Sequence, residues 1–143
     1  MIDNKIFQWN ENYPSREIFY DDIKNKNLYI IQNNKRIIGC VMRSINQSKV
    51  YKKVTWMTEN KKNIYVHRLA VDPKYQGKGY GIKLMDFIEE NAVKKDYKSI
   101  RLDTFSKNTR NVNFYKKRGY LKIEDIYFPN QSIYPFHCLE KIL

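Results

Sequence analysis

Cysteine is scarce in this chain. Only Cys40 and Cys138 occur in 143 residues, far apart and each within an apolar run. That spacing excludes a short metal or redox pair and leaves both as small buried hydrophobes, with no disulfide expected. Long apolar runs are absent too: nothing approaches the roughly 18 residues of a membrane-spanning helix. The start, Met1-Ile2-Asp3-Asn4-Lys5, lacks the apolar stretch and cleavage site of a secretory signal, so a soluble, cytoplasmic protein without a membrane partner is expected. The four prolines fall at element boundaries, and no repeat or linker breaks the chain, which points to one domain over residues 1–143. Acidic residues are few, 15 against 27 basic, for a net charge of +12. The lysines spread from Lys5 to Lys141 without a basic block, which disfavours a nucleic-acid partner; a basic surface equally attracts a nucleotide with several phosphates.

What is present is enough apolar and aromatic residue, 42% and 15%, for a real core. Ser15 reads as the N-cap of a short helix over Arg16 to Lys24, with Ile18, Phe19 and Ile23 as its apolar stripe. Leu28 to Gln32 and Arg36 to Arg43 read as strands joined by the turn Asn33-Asn34-Lys35. Val50 to Thr58 suggests a third strand, and Ile64 to Val71 a fourth, apolar enough to be central and stopped by Asp72-Pro73. Ile82, Met85, Ile88, Ala92 and Val93 then recur at helical spacing, with Asp86, Glu89, Glu90, Lys94 and Lys95 largely on the other face. Ser99 to Phe105 reads as a strand and Thr109 to Arg118 as a helix, followed by strands around Tyr120 to Phe128 and Ile133 to Lys141. The expected fold class is α/β (α+β): a central mixed, mostly antiparallel sheet flanked by helices.

Three of the five glycines crowd into Gln76-Gly77-Lys78-Gly79-Tyr80-Gly81, between the fourth strand and its helix. Glycine there permits positive φ and close approach to the main chain, and the helix start offers unpaired N–H groups and partial positive charge. A phosphate suits that position. The Walker pattern fails because Gly79 follows Lys78, and the dinucleotide fingerprint fails at Ile82.

With Leu69-Ala70-Val71-Asp72-Pro73 before it, this turn resembles the signature of the GNAT superfamily of N-acetyltransferases: Gln or Arg, two residues, Gly, one residue, Gly or Ala, matched by Gln76, Gly79 and Gly81. A second segment, Asn108 to Tyr120, is similar to the family's other conserved region. The resemblance covers roughly residues 28–143. It implies a coenzyme-binding strand, turn and helix over 64–95, a second motif over 99–120, and acetyl-CoA held at a splay between the fourth and fifth family strands. Asn108 independently suits an N-cap and Gly119 a left-handed C-cap, which places Asn111 and Tyr115 on one helix face.

The resemblance also implies roles. Backbone N–H groups around Leu69, Ala70 and Val71 would hold the pantetheine and polarise the thioester, amides from Gly77 to Ile82 would hold the pyrophosphate with charge from Lys78, and Asn108 would contact the coenzyme near the second motif. Tyr115 becomes the general acid for the departing thiolate. The glutamate that histone-directed members carry aligns with Tyr65, so His67, two residues on along the same strand face, is read as base or water anchor, with Asp103 as the alternative. Trp9, Tyr13 and Trp56, and also Asp103, are candidate acceptor-pocket residues. No metal is expected.

Only seven residues precede the segment Gln8 to Pro14, where family members carry a strand and a helix. Either the first family strand is absent, leaving an edge that a second copy could cover as a homodimer, or the start codon is misassigned. The expected activity is acetyl transfer from acetyl-CoA to the primary amine of a small molecule. A peptide or protein acceptor and a non-catalytic CoA-binding sensor are the alternatives.

Overall fold

The computed structural model describes residues 13–143. Helix α1 (Arg16–Lys24) leads into strands β1 (Leu28–Asn33) and β2 (Arg36–Ser44). Strand β3 (Asn63–Val71) runs into helix α2 (Tyr80–Lys94), followed by β4 (Ser99–Phe105), α3 (Thr109–Lys117), β5 (Leu121–Ile126) and β6 (Phe136–Ile142). The six strands form one sheet in the order β1-β2-β3-β4-β6-β5, antiparallel except for the β3–β4 pair. This is the mixed α/β architecture expected. The expectation of a missing first family strand falls on residues before 13 and, like Trp9, lies outside the described residues.

One expected strand is not there. The Val50–Thr58 segment begins with a 3-10 turn, Lys49–Lys53, and continues as irregular chain. Its Val, Tyr and Trp residues look strand-like, but they cap the sheet face: Tyr51 is fully buried, with Trp56 packed edge-on at 5.3 Å. The strand read as the fourth is therefore β3 of the described chain.

Period-two alternation divides the core between the two sheet faces. Ile64 and Val66 of β3 and Ile100 and Leu102 of β4 pack under α2 and α3, against Leu84, Met85, Ile88, Ala92 and Tyr115. Their neighbours Tyr65 and Phe105 face the opposite way, into a cluster with Tyr51, Val54, Phe136 and Cys138. The helix stripe differs from expectation at its ends: Met85, Ile88 and Ala92 are buried along with Leu84, whereas Ile82 and Val93 are exposed. Glu89, expected on the outer face, is buried because Arg118 and Lys141 converge on it, with Lys141 Nζ at 2.8 Å from Oε1.

Helix α1 departs further. Ser15 caps it as expected, accepting from the Ile18 N–H at 3.2 Å. Its apolar stripe does not enter the core: Ile23 is exposed, and the only buried side chain of the helix is Asp22.

Between the β2–β3 connection and the sheet lies a buried polar cluster. Arg101 and Glu140, both fully buried, pair at 2.9 Å. The Glu140 carboxylate also accepts from the Met57 N–H and Thr58 hydroxyl, and Arg101 donates to the Thr58 carbonyl and Asn60. Burial alone would raise the Glu140 carboxyl, yet these hydrogen bonds hold it below its ordinary value. Glu140→Ala strands the guanidinium in the core and is expected to cost about 3–5 kcal/mol, read as a lower urea midpoint; an unchanged midpoint would contradict this account.

Candidate functional site

Strands β3 and β4 pair in parallel only at Asn63 with Ser99, Ile64 with Ile100 and Tyr65 with Arg101. Beyond those pairs the strands separate, β3 continuing to Val71 and β4 to Phe105. The backbone of β3 past Tyr65 thus has no β4 partner, and a cavity of about 510 Å³ opens at the gap. Its walls include Val66, His67, Arg68 and Leu69 of β3, Leu102, Asp103 and Thr104 of β4, and Asn111 and Tyr115 of α3. Residues that alternation sends to opposite sheet faces meet here because the gap is open to both.

A bulge shapes the β3 wall. Cys40 pairs with Ala70 but Met42 with His67, so β3 carries one more residue than β2 over this stretch. Arg68 sits in the bulge with φ of 53°, the one non-glycine residue of positive φ inside a strand among the described residues. Its guanidinium grips both oxygens of Asp22 at 2.6 and 2.7 Å and donates to the Tyr13 hydroxyl at 3.0 Å. The Cys40 thiol donates to the Arg68 carbonyl at 3.7 Å. Neighbouring Gly39 is required by close approach, since a Cβ there would lie 2.7 Å from the Ala70 carbonyl oxygen.

On the β4 side, the Asp103 carboxylate accepts a short hydrogen bond from Tyr51. Burial pushes this carboxyl up to about 6, partly offset by that bond. His67 stacks on the same Tyr51 ring, with centroids 5.7 Å apart. Burial, helped by the Arg68 charge, lowers its imidazole to about 4, so His67 is neutral at physiological pH. The Tyr115 phenol is pushed well up, first by burial and then by Asp103, and keeps its proton.

The glycine turn stands at the far end of β3. Gly77 and Gly79 have φ of 78° and 86°, and a Cβ on either would meet nothing within 4 Å, so the left-handed backbone and not crowding explains these glycines. Gly79 is the N-cap of α2 without a side-chain cap, and the first helical bond recorded there runs from the Lys83 N–H to the Gly79 carbonyl. Gln76 fastens the turn to β3 by donating to the Val71 carbonyl at 3.1 Å. Lys78 Nζ lies 5.6 Å from the Tyr75 ring centre, and Tyr75 packs edge-on against Tyr80 at 6.0 Å. From Val71 back to His67 β3 runs alongside only the three steps from Gly39 to Met42, about 10 Å, so one extended ligand lying along β3 would reach from turn to cavity.

Of the residues the sequence singled out, His67, Leu69, Asp103, Asn111, Tyr115 and Tyr13 line the cavity. Ala70 and Val71 continue the same strand toward Gln76, Gly77, Lys78, Gly79, Tyr80, Gly81 and Ile82 at the turn. Asn108 caps α3, its Oδ1 accepting from the Asn111 N–H at 3.2 Å, and does not line the cavity. Trp56 stands behind the wall: its indole N–H donates to the Tyr51 carbonyl, and its ring lies 4.7 Å from the Arg101 guanidinium. Sequence reading missed Tyr51, Arg68 and Asp22. Tyr51 lies in a segment whose residues read as a strand, and an ion pair 46 residues apart leaves no local signal.

The family model for "Acetyltransferase (GNAT) family" matches residues 2–120. The chain belongs to the GNAT acetyltransferase family. The match reaches further toward the N-terminus than the motifs alone indicated. Among curated relatives, the uncharacterized N-acetyltransferase YesJ of Bacillus subtilis is 24% identical over 99 residues, 68% of this chain and 54% of YesJ. A thialysine N-epsilon-acetyltransferase of Bos taurus is 32% identical over 65 residues, 46% of this chain and 38% of that protein. The chain thus spans about half the length or less of these relatives. A GNAT-family acetyltransferase structure from Streptococcus agalactiae superposes with a TM-score of 0.82 at 20% identity, over 99% of this chain and 81% of the other. The NatC complex bound to Gag peptide and CoA gives 0.72 at 21%, over 97% and 87%.

The raised Asp103 carboxyl has a consequence for stability. The folded chain holds that proton more tightly than the unfolded one, so this group's contribution falls as pH rises from about 4 through 6. Asp103→Asn keeps an acceptor for Tyr51 and removes the buried charge. Its thermal midpoint should exceed the parent's at pH 7.5, with the gap closing near pH 4.5; a gap independent of pH would rule out a raised Asp103.

Proposed function

We propose that this protein transfers the acetyl group of acetyl-CoA to the primary amine of a small polar molecule, by direct attack. The observation that carries this reading is the opening between β3 and β4, where a protonated phenol from one sheet face and a carboxylate from the other meet beside an unpaired strand edge. The glycine turn at the end of that strand supports the same donor: α2 presents its uncapped start there, suited to a pyrophosphate.

The chemistry assigns each group a task. The free amine attacks the thioester carbon, and the oxyanion that forms is stabilised by β3 backbone N–H groups in the Leu69–Val71 stretch. The proton lost by the nitrogen passes to Asp103. With its imidazole near 4, His67 is a poor base at neutral pH and serves better as a neutral anchor for a relaying water. When the carbon–sulfur bond breaks, Tyr115 gives its proton to the thiolate. Asn111 stands on the same face of α3 and lines the donor side.

The rest of the wall favours a small, polar acceptor. Asn25, Asn27, Asn46, Gln47 and Gln131 contribute amide groups, and the Gln47 Nε2 is buried without a partner. The volume suits a small ligand. The bovine relative is named for thialysine, a small amine, which agrees with this choice. A peptide acceptor has the NatC neighbour in its favour, at an identity where only the fold is shared.

Three measurements test the assignment. Thiol release with a panel of amines should show acceleration by at least one of them; acetyl-CoA binding without any acceleration would instead mark a sensor. In the pH profile of kcat/KM, the acidic limb should bend near 6, vanish in Asp103→Asn and persist in His67→Ala, whereas a limb abolished by His67→Ala would transfer the base to the imidazole. Tyr115→Phe should lower kcat about 100-fold with acetyl-CoA affinity nearly unchanged, and a near-normal kcat would remove the phenol from the mechanism.

A further inference from the structure

The left-handed backbone of Arg68 is costly for any residue with a Cβ, and it persists only where surrounding contacts impose it. The other positive-φ non-glycine residues among those described, Lys26, Asn34, Lys35, Lys62 and Asp96, all stand outside helices and strands. At Arg68 four polar contacts impose that conformation. Asp22, the one buried side chain of α1, takes two donor nitrogens of the guanidinium; Tyr13 takes a third, and Cys40 donates to the carbonyl. With 9% and 5% of their side chains exposed, Arg68 and Asp22 form a pair largely shielded from water. Because Ile18 and Phe19 are only half-buried and Ile23 is exposed, the helix puts much of its attachment into that bond.

We propose that the Asp22–Arg68 ion pair is a positioning device for the reaction: it holds residue 68 in the left-handed conformation that makes the β3 bulge, and the bulge aims the following backbone amides into the gap. The inference rests on the proposed acetyl transfer, because those amides are the groups given to the oxyanion. Neither side chain exchanges a proton or touches the reacting atoms. Asp22 also lines the cavity, but its charge is paired with Arg68 through both oxygens, so the proton of the amine is assigned to Asp103 instead.

The test separates the pair's effect on backbone conformation from plain stabilisation. Arg68→Gly and Arg68→Ala delete the same contacts and leave the same lone Asp22, but glycine adopts a φ near 53° freely and alanine does not. At saturating substrates and well below the melting temperature, kcat of Arg68→Gly should exceed that of Arg68→Ala by about five- to thirtyfold. Amide hydrogen exchange across residues 66–71, measured without substrate, should be slower in the glycine variant. Asp22→Asn, which leaves Arg68 in place, gives a second arm should the alanine variant not fold: kcat falls at least fivefold, acetyl-CoA affinity stays within about threefold, and Asp22→Glu restores part of the rate. Equal kcat and equal exchange in the two Arg68 variants, or an Asp22→Asn enzyme of normal kcat, would overturn the assignment. Failure of the parent protein to acetylate any amine would overturn the catalytic role along with the proposed function, and the exchange comparison would then decide the backbone role alone.

Discussion

Everything specific about this molecule depends on two parallel strands that stay paired for three residues and then part. Hydrogen bonding drives strands to remain together, since each buried N–H or C=O left alone is costly. The separation of β3 from β4 after Tyr65 and Arg101 therefore needs a physical cause on each side. On β3 it is the bulge at Arg68, which takes the strand out of register with β2 as well. On β4 it is continued pairing with β6 through Phe105, which carries the strand away.

The gap turns a sheet, ordinarily a barrier between two faces, into a passage. The face under α2 and α3 supplies Tyr115 and Asn111, while the face under the 49–58 segment supplies Asp103, His67 and Tyr51. Under the proposed function, a donor along the α2 side and an acceptor from the other would meet between the phenol and the carboxylate. The same low-polarity surroundings act on both groups: burial keeps the phenol protonated and raises the carboxyl to about 6, so that at neutral pH one carries a proton and the other is largely ionised. Ion pairs hold this arrangement from outside, the buried Arg101 with Glu140 beneath the β2–β3 connection and the partly buried Arg118 with Glu89 between α2 and the end of α3.

Much of the fold was legible in the sequence where the signal is local. Ser15 and Asn108 cap the helices they precede, because a side-chain oxygen needs only a backbone N–H three residues on. The Ser99–Phe105 strand and the helix after Gly79 appear as expected, since period and punctuation agree there. Val50 to Thr58 misled because β-branched and aromatic residues suit any half-buried surface, and here that surface is a cap over the sheet rather than a strand within it. Glu89 misled because its position on the helix says nothing of an arginine and a lysine brought to it from 29 and 52 residues away.

The sequence by itself determined the family motif, the glycine turn, the helix that follows it and the tyrosine of the second motif, each set by residues adjacent along the chain. Tertiary structure alone decided that Asp103 and Tyr51 join, that Trp56 stands behind the wall, and that Asp22 is buried. It alone decided that Arg68 turns left-handed in the middle of a strand. A positive φ at an arginine carries no sequence signature, because the contacts that impose it come from a helix 46 residues away and exist only once the chain has folded.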